Sequence, residues 1–475
     1  MSAISGLSNR RVVILGLARQ GTALARYLVG AGARVTVSDL QPAEALGGAL
    51  AAVADLPVQL VLGGHPLTLL EGTDLLCLSG GVPPDLPIVQ AARARGIALS
   101  NDSLLTLQRC PALTVGITGS SGKTTTTTLV GEMLQAGGRT TWVGGNIGTP
   151  LIDRLVEIDA QDRVVLELSS FQLELFDPDL CLDAPVSPAV AGVLNVTPNH
   201  LDRHPSMAAY AAAKHRILEH QRPGDVAVFG LDNDVTRSWW HETAASGHVQ
   251  TLGFSLVDVP PAGAYLRHDE LVLRDAGGDE ETVCRAEEVR LRGRHNLANL
   301  LAAFCLSHAA GADVPAMRQV ATTFAGVAHR LELVRQRGGV SWYNDSIATT
   351  PERALAALDS FAEPVILLAG GRDKHLPWEA LAQALRQHVR HVITFGEAAG
   401  LIERELANYA ANHPMAPGEA PPVHRGDDLA GAVTLAASLA HPGDVVLLSP
   451  GGTSYDAYRD FAARGEHFRA LVNAL

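Results

Sequence analysis

Gly116-Ile117-Thr118-Gly119-Ser120-Ser121-Gly122-Lys123-Thr124 is the stretch that decides how this chain is read. Ahead of it, Ala112 to Ile117 is an apolar run of the kind that forms a buried strand. Behind it, Thr125 to Gln135 repeats its apolar residues at helical spacing. A strand, a small-residue turn and a helix start leave backbone N–H groups pointing outward at the positive end of a helix dipole, where phosphate binds. Lys123 is placed to reach the outer phosphates of a nucleotide, and the Thr124 hydroxyl to ligate Mg2+. The full P-loop pattern has another glycine five residues before Gly122, where this chain has Ile117; Gly119, Gly122, Lys123 and Thr124 remain in register.

Working outward, 475 residues are too many for one ordinary core, so several domains are expected. Apolar residues make up 47% and charged residues 18%, which are globular values. A net charge of −13 speaks against a nucleic-acid surface, while leaving room for a local basic pocket. Cys77, Cys110, Cys181, Cys284 and Cys305 are scattered and form no CxxC pair, which suits free thiols in a reducing cytosol. Met1 to Arg11 carries no apolar signal core, and no stretch reaches the roughly 18 apolar residues of a membrane helix. The expectation is a cytoplasmic chain, taken as a monomer, with no membrane insertion.

Before the P-loop, the strand Arg11 to Leu17 runs into Gly16-Leu17-Ala18-Arg19-Gln20-Gly21 and an Ala/Leu helix ending near Gly30. This resembles a dinucleotide fingerprint with Ala18 in place of the middle glycine. Asp39, at the end of the next strand, is placed to accept from a ribose hydroxyl. Leu75 to Leu78 ends in Ser79-Gly80-Gly81, small enough for a ligand to approach the backbone.

After the P-loop come Gly145-Asn146-Ile147-Gly148, a buried strand bearing Glu167 near its end, and Asn195 to His204 at the end of another strand. A carboxylate at Glu167, beside a P-loop, suits Mg2+. Lys214 lies on an alanine-rich helix, where a lone lysine ordinarily reads as solvated. From residue 328 strands and helices alternate again, with Asn344-Asp345-Ser346, Gly370 to Lys374 and Ser449 to Tyr455 at strand ends. The expectation is three α/β domains: residues 1–110, Rossmann-like; 111–327, a central P-loop ATPase domain; and 328–475, Rossmann-like.

The order of these motifs resembles the Mur ligase family. The pieces that carry the likeness are Thr118 to Thr124, Gly145 to Gly148, Glu167 to Leu173, Asn195 to Thr197 with His200 to Arg203, Ala213-Lys214, Gly293 with His295-Asn296 and Asn299, His329-Arg330, and Asn344 to Ser346. They span all three expected domains. The resemblance implies an ATP- and Mg2+-dependent ligase that joins D-glutamate to UDP-N-acetylmuramoyl-L-alanine through an acyl phosphate, in peptidoglycan precursor synthesis.

It further implies that Asp39 and Ser79 hold the UDP group and that Gly119, Ser120, Ser121, Gly122, Lys123, Thr124 and Thr125 cradle the phosphates. Thr124 and Glu167 would take one Mg2+, and His200 with a carbamylated Lys214 a second. Asn146 would position the substrate; Asn296 and Asn299 would meet adenine; Arg330 and Asp345 would reach the nucleotide. The catalytic set is then Lys123, Glu167, His200 and Lys214. Thr349, Lys374, Ser454 and Phe461 would take the incoming amino acid. Where glutamate-adding members often carry a lysine after the Asn-Asp-Ser run, this chain has Ile347, and Arg372 is the candidate replacement cation. The alternatives are a related ligase with another acceptor, such as L-glutamate, and a P-loop kinase or nucleotide switch, which would leave the third domain without work.

Overall fold

In a computed structural model, which describes residues 6–184, 186–198, 204–374, 376–413 and 421–475, the chain builds three sheets. In the first, Arg11–Leu15 lies at the centre, flanked by Arg34–Asp39 and Leu75–Leu78, with Gln59–Leu62 and Ala98–Ser100 outside them. All five strands are parallel. Their apolar runs bury both faces, as a sheet covered by helices requires. The helix Arg19–Gly30 packs Ala23, Leu24, Ala25 and Leu28 inward.

The second sheet has nine strands, in the order Glu280–Arg285, Glu270–Arg274, Gly263–Arg267, Gln250–Ser255, Val226–Gly230, Val190–Val193, Leu113–Thr118, Arg163–Glu167 and Thr141–Gly145. The last seven are parallel and the first two close an antiparallel edge. Leu113–Thr118 sits between Arg163–Glu167 on one side and Val190–Val193 on the other. The chain therefore leaves it in one direction and returns on both flanks, making the crevice where α/β sheets bind ligands.

The third sheet runs Glu332–Arg337, Val340–Asn344, Val445–Gly451, Val365–Gly370, Val389–Phe395 and Val423–Arg425. Only the first pair is antiparallel. One apolar layer lies against the helices Pro351–Leu358, Glu379–His388 and Ala399–Asn412. The other lies against Leu429–Leu439 and Phe461–Ala474.

Packing divides the chain into two compact units: residues up to Arg290 with Arg294–Phe324, and Leu291–Gly293 with Ala325–Leu475. The first two expected domains thus fall in one unit, with a common apolar core. Buried polar bonds reinforce this join: Asn101 Nδ2 donates to the Gln172 carbonyl at 2.9 Å, and Gln172 Nε2 to Ser103 Oγ at 2.7 Å. Residue 110 lies between the last strand of the first sheet and the first strand of the second. Among the described residues no helix is long and apolar enough to cross a membrane.

Candidate active site

The P-loop turn owes its shape to Gly122, whose φ of +82° is left-handed. A Cβ there would stand 2.2 Å from Asn299 Oδ1, so side chains are excluded on two grounds. The helix Lys123–Ala136 starts immediately after it. The loop is pinned from the next strand end: Ser121 N donates to Asn195 Oδ1 at 3.0 Å, and Ser120 Oγ bonds both the Thr197 carbonyl (2.9 Å) and Tyr210 Oη (3.0 Å). Thr125 is buried in the first helical turn.

Parallel register sets Gly145 beside Glu167. Gly145 has φ +91°, and a Cβ on it would meet the Glu167 carbonyl oxygen at 2.3 Å, so the two backbones approach as only glycine allows. The Glu167 carboxylate, 2% exposed, then accepts from Thr124 Oγ1 and from Asn146 Nδ2, each at 2.8 Å. Three residues from three segments, each expected at the site, are brought into one hydrogen-bonded chain.

Lys214 contradicts the solvated reading that its helix alone suggests. It is 1% exposed, in the helix Met207–His215. Its alanine neighbours add little bulk, and the helix packs against the phosphate loop. Nζ donates to the Gly119 carbonyl at 2.9 Å and lies 4.6 Å from the Tyr210 ring centre. Lys123 Nζ donates to the same Gly119 carbonyl, also at 2.9 Å. Two ammonium groups so close cannot both stay charged cheaply. Burial first, and then the charge of Lys123, push Lys214 down to about 6, against an opposing pull from Glu167.

Asn296 and Asn299 are buried one turn apart on Arg294–Ala309, with Asn299 Nδ2 donating to Asn296 Oδ1 at 3.0 Å. His200 lies outside the described residues. At the first sheet, Asp39 accepts from the backbone N–H groups of Leu17 (2.7 Å) and Gln41 (2.8 Å), and Ser79 Oγ donates to the Gly16 carbonyl at 2.9 Å. Both expected UDP contacts therefore border the Gly16 turn.

In the second unit, Asp345 accepts from Leu331 N (3.2 Å) and Ser449 Oγ (2.8 Å). Burial pushes its carboxyl up to about 7, against those bonds and the nearby charge of Arg330. Thr349 follows in the same loop, where its N–H donates to the Ile347 carbonyl at 2.9 Å. Ser454 is buried, Phe461 opens the last helix, and Lys374 is exposed. The Arg372 guanidinium is held by both oxygens of Glu397, at 2.8 and 2.9 Å.

Two side chains at these sites were not singled out by sequence. His204 is buried between Phe171, whose ring stacks at 5.3 Å, and Tyr210, edge-on at 5.0 Å. It bonds Glu174 at 3.1 Å and Ser170 at 3.0 Å, and so braces the ring that faces Lys214. Arg464, 0% exposed, donates to Ser346 Oγ (3.0 Å), the Ser346 carbonyl (2.8 Å) and the Gly452 carbonyl (3.1 Å), tying two loops to the last helix. Each looks like an ordinary polar residue of a loop or amphipathic helix, and nothing in its spacing signals otherwise.

Comparison with known proteins matches residues 10–101 to the Mur ligase MurD-like N-terminal domain, 117–307 to the Mur ligase middle domain and 329–452 to the Mur ligase glutamate ligase domain. A UDP-N-acetylmuramoylalanine--D-glutamate ligase of Symbiobacterium thermophilum is 44% identical over 98% of each chain. One of Acetivibrio thermocellus is 40% identical over 99% of this chain and 97% of its own. Among solved structures, the UDP-N-acetylmuramate-alanine ligase of Thermotoga maritima superposes with a TM-score of 0.59. It shares 18% identity and covers 98% of this chain and 99% of its own.

Proposed function

This chain belongs to the Mur ligase family and is an ATP-dependent ligase, and from that premise we propose that it joins D-glutamate to UDP-N-acetylmuramoyl-L-alanine in the cytoplasm. The observation that carries the chemistry is the pair of lysines converging on the Gly119 carbonyl, one of them uncharged near neutral pH, beside the Thr124–Glu167–Asn146 chain. The choice of glutamate is supported by the relatives' names and by the cations of the second unit.

A carboxylate resists attack because its charge repels a nucleophile and oxide is a poor leaving group. Transfer of the γ-phosphoryl group of ATP to the alanyl carboxylate removes both obstacles. The amine of glutamate then attacks the acyl carbon, the C–N bond forms, and phosphate leaves. Residues 111–327 would serve ATP, with Gly119 to Thr125 as the phosphate cradle and Lys123 set against the charge that develops there. Asn296 and Asn299, on the helix behind Gly122, would border the adenine. Residues 1–110 would hold the UDP group at Asp39 and Ser79, with Asn146 orienting the acid. Residues 328–475 would supply Arg330 and Asp345 to the nucleotide, and Thr349, Lys374, Ser454 and Phe461 to the acceptor.

The donors fit Mg2+. Thr124 and Glu167 offer hard oxygens, and among the described residues no group of three or more His, Cys, Asp or Glu forms a self-sufficient metal cage. A cation held there would complete its shell with water and phosphate oxygens. Bound by Thr124 and Glu167, and at a second position by His200 and Lys214, Mg2+ would neutralise phosphate charge. For Lys214 to serve, its free amine adds to the carbon of CO2, forming an N–C bond and releasing a proton, which yields an anionic carbamate. The depressed basicity of Lys214 favours that addition, since only the unprotonated amine reacts.

Ligation assayed with UDP-N-acetylmuramoyl-L-alanine against D-glutamate, L-glutamate and glycine in parallel tests the reading. Phosphate release is expected only with both the sugar nucleotide and D-glutamate present. Equal turnover with L-glutamate, or phosphate release without an amino acid, overturns it.

A further inference from the structure

An acceptor amino acid with two carboxylates needs more than one cation to offset its charge, and the second unit has several candidates. Arg372 is neutralised by Glu397. Arg464 is buried and committed to carbonyls of the Ser346 and Gly452 loops. Arg353 differs from both. It is exposed, on the first turn of the helix Pro351–Leu358, and its Nη1 reaches back to the Ile347 carbonyl at 3.4 Å. Among the described residues it forms no ion pair, nor does Lys374.

The two share one neighbourhood. The charge of Arg353 adds to burial in lowering Lys374, and it also bears on the Asp345 carboxyl. Local packing explains why they stay together. Gly451, with φ +71°, would set a Cβ 2.8 Å from the Trp378 ring and 3.7 Å from Pro351 Cα, so the strand end, the Lys374 loop and the helix start are in close contact. Asp373, next to Lys374, accepts from Trp378 Nε1 at 3.1 Å. Two like charges in one neighbourhood, neither of them ion-paired to a carboxylate among the described residues, make a place for an anion.

We propose that Arg353, projecting over the Ile347 loop beside Lys374, is a specificity-determining residue that binds a carboxylate of the incoming glutamate. This rests on the ligase reading above. Arginine supplies a planar fork that matches a carboxylate with two parallel hydrogen bonds, which lysine cannot do.

The test is steady-state kinetics of the full chain with each of its three substrates varied. Arg353→Ala is expected to raise the KM for D-glutamate about tenfold or more, the scale of a lost charged hydrogen bond. The KM values for ATP and the sugar nucleotide should stay within about twofold, and the melting temperature should not move, because the side chain is exposed. Arg353→Lys should fall between. Adding Ile347→Lys to Arg353→Ala should recover part of the loss by returning a cation to the loop beneath. If Arg353→Ala folds poorly, Arg353→Gln carries the same expectation. A glutamate KM unchanged in these variants, or a rise shared by all three substrates, overturns the role of Arg353. A parent chain that ligates no glutamate overturns the functional reading instead.

Discussion

Around Gly119 the chain buries a lysine and a carboxylate, whereas around Ile347 it leaves two cations in water. Lys214 and Glu167 are 1% and 2% exposed, and each is fixed by short bonds to the loop it serves. Arg353, at a helix start, and Lys374, on a loop, are exposed, while Asp345 and Arg464 nearby are buried and bonded to the surrounding frame. The difference follows from the ligands proposed. A triphosphate with Mg2+ brings dense charge that offsets the cost of burial, so fixed groups can act in a low dielectric. A small amino acid must enter and leave each cycle, and exposed cations on a braced frame suit that exchange.

Removing Lys214 is the largest way to break this comparison. Lys214→Ala should cost about a hundred- to a thousandfold in kcat, the scale of losing one preorganised charged group. A short carboxylic acid or millimolar bicarbonate in the assay is expected to return part of the rate. Full activity without additive would mean that the buried lysine does nothing its burial suggests.

Arg464→Met comes next and probes the frame. It strands the Ser346 and Gly452 carbonyls, an expected loss of about 2 to 4 kcal/mol. The melting temperature should drop by roughly 5 to 15 °C. Hydrogen exchange should quicken over residues 345–350 and 451–454 and remain as it was over 116–136. Uniform loosening would show that the second unit is not braced locally.

How far these sites were legible depends on how local their causes are. The phosphate turn was readable because glycine, lysine and threonine act within five residues. Glu167 and Asn146 were readable as strand-end residues, since neighbouring parallel strands carry their ends to one crevice. Lys214 was not readable from its own helix, whose composition leaves open which face is covered. Arg464 and His204 were missed for the same reason: what distinguishes them is contact with residues distant in sequence. The joining of residues 1–110 and 111–290 in one compact unit is reinforced by Asn101, Ser103 and Gln172, polar residues that resemble loop surface until they bond each other.

Asp345 offers a titration of the frame. Its carboxyl is pushed up to about 7 by burial, from 3.8, so between those values the folded chain holds a proton that the unfolded chain has released. Stability from this group therefore falls as pH rises through that window, by at most about 1.4 kcal/mol per pH unit, and levels off above it. Asp345→Asn keeps the shape and should be more stable than the parent at pH 8, with the gap closing toward pH 4. A gap that widened toward pH 4 would place the carboxyl in the ordinary range and remove burial as its governing influence.

The smallest expected effect is the most discriminating among the cations. Arg372→Ala removes a guanidinium whose side-chain partner is Glu397, itself exposed, and such pairs contribute little. What Arg372 gives the site is its backbone: its N–H donates to the Thr453 carbonyl at 2.8 Å, and its carbonyl accepts from Thr453 N at 2.8 Å and Oγ1 at 3.1 Å. Alanine keeps all three. The glutamate KM should therefore stay within about twofold of the parent's, as expected for loss of an exposed pair. Two arginines on adjoining loops would then differ in effect according to whether a carboxylate of the chain already occupies the fork. A large rise in the Arg372 variant would mean that Glu397 releases that side chain to the acceptor, and would transfer to Arg372 the role argued for Arg353.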